Sequence, residues 1–93
     1  MSDRVTLHLA IRGRVQGVGF RYAMAGEARR LGIAGWVRNR HDGSVEAIVH
    51  GDAEAIESMR RWAERGPEGA QVKEARATPA EGDFEGFELR PTA

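Results

Sequence analysis

From Val5 to Ile11 the chain alternates, with Val5, Leu7, Leu9 and Ile11 on one face and Thr6, His8, Ala10 and Arg12 on the other. A period of two predicts a strand with one buried face. The stretch Gly13-Arg14-Val15-Gln16-Gly17-Val18-Gly19 then reads as a loop. Phe20, Met24, Ala28 and Leu31 follow at helical spacing, and Gly32 is placed to stop that helix. Gly26 weakens it by about 1 kcal/mol relative to alanine. A second strand is predicted from Ala34 to Arg40, and His41-Asp42-Gly43 makes a tight turn into a returning strand from Ser44 to His50. Val45, Ala47 and Val49 form the inner face of that strand. Asp52 is a good N-cap for a second helix, whose stripe is Ile56, Met59 and Ala63 and whose end is Gly66-Pro67. A weaker strand follows near Val72 to Thr78, then the loop Glu81-Gly82-Asp83 and a short strand near Phe84 to Leu89.

The order is β-α-β-β-α-β with a short final strand. It predicts an α+β fold, the ferredoxin-like split βαβ sandwich, with an antiparallel sheet and two helices on one face. In that topology the third strand lies between the first and second and runs against both. The C-terminal ends of strands one and two, Gly13 and Asn39, therefore emerge on the same edge, on the order of 10 Å apart. A small substrate fits such a gap.

Composition narrows the possibilities. The 93 residues suffice for one domain, expected to span 1–93. Fourteen basic residues balance fourteen acidic ones, so any attraction for an anion must be local. Thirteen of the fourteen bases are arginine, so each arginine must be judged by its position. There are no cysteines, which excludes disulfides, thiolate catalysis and cysteine-ligated metals, and which fits a reducing cytoplasm. The start of the chain lacks a signal-peptide pattern, and no apolar run approaches the roughly 20 residues of a membrane span. A soluble cytoplasmic protein is expected.

The chemistry concentrates in the first loop. Three glycines in seven residues between a strand and a helix let the backbone turn sharply and aim N–H groups inward. The helix adds the positive end of its dipole, and Arg21 at its start offers a planar fork of donors to phosphate oxygens. The established nucleotide loops do not fit: no Gly-Lys-Ser/Thr follows, and Tyr22 occupies the third glycine position of a dinucleotide fingerprint. A glycine-rich connection also serves tight packing alone, with Arg21 a solvated surface residue. Composition leaves these two readings level, and the arginine directly after the cluster tilts the balance to anion binding.

Gly13-Arg14-Val15-Gln16-Gly17-Val18-Gly19-Phe20-Arg21 closely resembles the first signature of acylphosphatases, and Gly35-Trp36-Val37-Arg38-Asn39-Arg40-His41-Asp42-Gly43-Ser44-Val45-Glu46 resembles their second. The resemblance extends through Gly66-Pro67 and Ala70 to Phe87, and is weakest from Arg76 to Asp83. It implies a ferredoxin-like fold and hydrolysis of small acyl phosphates to carboxylate and inorganic phosphate, with no metal and no cofactor. By position it implies that Arg21 binds phosphate and Asn39 holds the nucleophilic water. Val15, Gln16, Gly17, Val18, Gly19 and Phe20 would complete a phosphate cradle through their backbone amides. The expected partners are the acyl phosphate and inorganic phosphate alone, with no nucleic acid and no membrane, and the chain is expected to act as a monomer.

Other candidates have plainer readings. His8, His41 and His50 show no ligand spacing, Trp36 and Trp62 read as packing residues, and Tyr22 either borders the pocket or lies on the helix surface. Arg38 and Arg40 alternate with Asn39 and so face the other side of the strand, where solvation is expected. An RNA-recognition module shares this topology but stacks bases on central-strand aromatics, which strands one and three lack. A non-catalytic small-anion sensor or regulatory module of the same fold is the alternative function.

Overall fold

In a computed structural model, residues 3–93 are described. The elements are β1 (Arg4–Arg14), α1 (Phe20–Leu31), β2 (Ala34–Asn39), β3 (Val45–Asp52), α2 (Ala53–Arg65), β4 (Gln71–Pro79) and β5 (Phe87–Leu89). The sheet order is β4-β1-β3-β2-β5, so β3 lies between β1 and β2 and is antiparallel to each. The ferredoxin-like arrangement is as the sequence predicts.

The alternating positions form the core. Leu9 and Ile11 of β1, Val37 of β2 and Val45, Ala47 and Val49 of β3 pack against Met24 and Ala28 of α1 and Ile56, Met59 and Ala63 of α2 in one buried cluster. Both helices thus cover one face, and the other stays open to solvent. α1 ends as expected at Gly32, whose positive φ of 71° lets its own N–H turn back to the Arg29 carbonyl and the Ile33 N–H to that of Ala28.

Four expectations need correction. The sheet is mixed, because β5 pairs parallel to β2, with Gly35 opposite Phe87 and Val37 opposite Leu89. β5 is also shorter than the stretch from Phe84 to Leu89, since only Phe87–Leu89 reaches β2. β1 continues through Gly13 to Arg14, so these two residues belong to a strand rather than the loop. Its pairing with β4 shifts register between Arg12 and Gly13, and a Cβ on Gly13 would stand 2.2 Å from the Gln71 carbonyl oxygen. Gly13 is therefore a close-approach glycine that admits β4. Finally, Asp52 occupies the N-cap position of α2 without a side-chain cap, and its carboxylate instead accepts a hydrogen bond from Arg4 at 3.2 Å.

Candidate active site

The register of the sheet decides which way Asn39 faces. Ile11, Val45 and Asn39 lie level across three neighbouring strands, since Val45 pairs with both of the others. Level residues share a face. Ile11 and Val45 are fully buried beneath the helices, so Asn39 also points to the helix side. It is the last residue of β2, and it meets the loop between β1 and α1.

That loop, Val15 to Gly19, is pinned at its ends. Val15 and Phe20 are 1% and 2% exposed, and Val18 packs against the same core. Phe20 meets Trp62 edge-on at 5.3 Å. Between the anchors, Gly17 and Gly19 take φ of 75° and 77°, left-handed conformations that glycine adopts without strain. None of the amides from Gln16 to Phe20 donates to a backbone carbonyl among the described residues. Gly19 caps α1 without a side chain, and the first turn carries no acidic residue. A row of unpaired N–H groups next to a helix start is an environment for an anion.

Arg21 stands in the second position of α1, partly buried. Eight of the thirteen arginines pair with carboxylates, and Arg21 is not among them. Its guanidinium lies 5.9 Å from the Tyr22 ring centroid. Val15, Gln16, Gly17, Gly19, Phe20, Arg21, Tyr22 and Asn39 together line a cavity of about 110 Å³. Of the predicted residues only Val18 lies outside this lining, because its side chain serves the core. Larger depressions, of about 190, 230 and 290 Å³, lie elsewhere on the surface and lack the row of free amides. A cavity of about 110 Å³ has room for several water-sized groups, the scale of a phosphoryl group. It is well below the roughly 300 Å³ at which pockets for larger organic ligands begin.

A family model described as Acylphosphatase matches residues 7–89. The chain belongs to the acylphosphatase family. It is 55% identical over 85 residues to an acylphosphatase of Thiobacillus denitrificans, covering 91% of this chain and 96% of that one. The solved acylphosphatase of Coxiella burnetii superposes with a TM-score of 0.91 at 30% identity, over 95% of this chain and 94% of the other. That of Bacillus subtilis gives 0.88 at 33% identity, over 92% and 98%. The family and fold implied by the two signatures are thereby shown.

Two features of this candidate site escape local sequence patterns. The Gln16 side chain donates to the carbonyls of Arg40 at 2.7 Å and Ser44 at 2.9 Å, tying the loop to the corner between β2 and β3. No local period signals a contact with partners 24 and 28 residues away. Arg38 and Arg40 do face away from Asn39 as expected, but they are not simply solvated: both donate to Glu46, at 2.7 and 3.1 Å. Alternation along β2 and β3, with Asn39 facing the helices, was the available signal for that pairing. Tyr22 is both things foreseen for it, 70% exposed and at the rim of the pocket. Among the described residues, no three His, Asp or Glu converge as metal ligands, and no described helix is long and apolar enough to cross a membrane.

Proposed function

We propose that the pocket between the Val15–Gly19 loop and Asn39 is where this acylphosphatase holds the phosphoryl group of an acyl phosphate for direct attack by water, without a metal. The observation that carries the reading is the amide row from Gln16 to Phe20, unpaired among the described residues, beside an arginine with no carboxylate partner among them. Arg21 and the amides would bind the phosphoryl oxygens and stabilise the charge that they carry in a loose transition state. Asn39, across the cavity, offers a carbonyl to orient the water.

The chemistry needs little more. An acyl phosphate is a mixed anhydride whose leaving group is a carboxylate, with a conjugate acid of pKa near ~4. It departs unprotonated, so no general acid is required, and positioning with charge stabilisation does most of the work. All the proposed residues belong to one chain, so the mechanism needs no second copy, and a monomer acting on soluble cytoplasmic substrates fits the reading.

Single substitutions assayed with acetyl phosphate test the roles. Arg21→Ala should abolish both turnover and competitive inhibition by inorganic phosphate, and Arg21→Lys should fail badly too, because a point charge does not reproduce a planar fork. Asn39→Ala should lower kcat by on the order of 10²-fold while phosphate inhibition stays near wild type. Near-normal turnover in the Arg21 variants would refute the scheme.

A further inference from the structure

The open face of the sheet carries an ionic cluster immediately behind Asn39. Glu46 of β3 pairs directly with Arg38 of β2. One of its carboxylate oxygens accepts from Arg38 Nε at 2.7 Å and from Arg40 Nη1 at 3.1 Å. The other lies 2.7 Å from His8 Nε2, on β1. Ala10 stands opposite Glu46 on β1, and its small side chain leaves space above the sheet for the carboxylate. Arg38 also lies over the Trp36 ring, 4.7 Å from its centroid.

We propose that Glu46 is a positioning residue for the hydrolytic step, fixing Asn39 by clamping the residues on either side of it, Arg38 and Arg40, from the opposite face of the sheet. This inference rests on the reading of Asn39 as the residue that orients water.

Asn39 projects from the last position of β2, where strand pairing ends. Arg40 follows outside the strand, held by its backbone to Ser44 and Gln16 and by its side chain to Glu46. A single exposed ion pair contributes little. Here one carboxylate, with its side chain only 12% exposed, holds both neighbours of a single residue. Without it, two guanidinium groups would repel one another around Asn39. Burial by itself raises the Glu46 carboxyl, but hydrogen bonds from His8, Arg38 and Arg40 outweigh it and hold the group at about 2. Glu46 is thus an anion at neutral pH. Displacements of about 1 Å in a positioned group reduce rates by as much as ~10²-fold, so a partial loosening of Asn39 corresponds to roughly a tenfold loss.

The test is a double-mutant cycle. Glu46→Ala should lower kcat about tenfold and leave KM and phosphate inhibition within about twofold, because the phosphate cradle is on another element. In the Asn39→Ala background the same substitution should lower kcat by less than about twofold, since the group through which it acts is gone. Glu46→Gln, nearly isosteric, should fall between the two and keeps the cycle open if the alanine variant folds poorly. The groove of about 230 Å³ beside Glu46 admits water, so truncation leaves solvated arginines rather than a sealed void. Equal losses in both backgrounds overturn the inference, as does a lower melting temperature with unchanged kcat, or a loss confined to phosphate binding. If Asn39→Ala alone retains wild-type kcat, the water-orienting reading falls and takes this inference with it. An impaired Asn39→Ala with additive losses sinks the inference alone.

Discussion

Replacing Gln16 by alanine should separate the assembly of the pocket from its chemistry. Both N–H bonds of the Gln16 amide are committed, one to the Arg40 carbonyl at 2.7 Å and one to the Ser44 carbonyl at 2.9 Å. Neither is left for a phosphate oxygen. Truncation removes two hydrogen bonds of about 1 kcal/mol each. It orphans neither carbonyl, because Gly43 N–H still donates to Arg40 and Arg40 N–H to Ser44. The expected loss is therefore about 1–2 kcal/mol. For a chain of this size that lowers the melting temperature by roughly 5–15 °C. The two walls of the pocket lose their side-chain tie, so kcat/KM for acetyl phosphate should fall about tenfold with contributions from both constants. Gln16→Glu should be worse, since a carboxylate cannot donate and faces two carbonyls and an anionic substrate. Scanning calorimetry and steady-state kinetics on the same preparations decide the matter. An unchanged melting temperature with lost phosphate inhibition would mean that the amide binds the ligand itself, and the bridging argument would be wrong.

Turnover should survive exhaustive chelation, since the leaving group departs without help; a strict requirement for added Mg²⁺ would refute the mechanism. The depressed Glu46 carboxyl, about 2 when folded against 4.5 ordinarily, contributes stability that is complete above about pH 4.5 and is lost as pH falls toward 2. Glu46→Gln should accordingly be less stable than wild type at pH 7, and urea titrations should show the gap closing in acid. Tyr22→Ala should leave the melting temperature within about 1 °C, because the ring is exposed. If the ring meets the acyl group, that variant loses about 2–10-fold in kcat/KM for benzoyl phosphate and little for acetyl phosphate; equal losses on both substrates would deny the contact.

Local patterns carried most of the fold. The alternation in β1 and the Val45, Ala47 and Val49 face of β3 placed two adjacent strands, and the α1 stripe with Gly32 placed a helix to its last residue. What local patterns missed is set by partners far along the chain. Gly13 reads as a loop glycine until β4 is seen against it, and the direction of β5 depends on which strand it reaches. Asp52 has the composition of a cap, but its carboxylate accepts from Arg4, 48 residues away. In the candidate site, the two signatures pointed to Arg21, Asn39 and the loop, which the fold gathers around one pocket, while the contacts of Gln16 and Glu46 appear only once β1, β2 and β3 stand side by side.

The proposed arrangement also carries an expectation about selectivity. The loop, Arg21, Tyr22 and Asn39 line a cavity of only about 110 Å³, the scale of a phosphoryl group. In the proposed binding mode the acyl portion would sit at the mouth, near Tyr22. Discrimination among phosphates falls to reactivity. A carboxylate leaves at a pKa near ~4, whereas the alkoxide of a monoester needs protonation or a metal ion, and the proposed residues supply neither. On this view the absence of an acid is itself the selectivity filter, because a general acid placed at the pocket mouth would widen the range of substrates to ordinary phosphate esters.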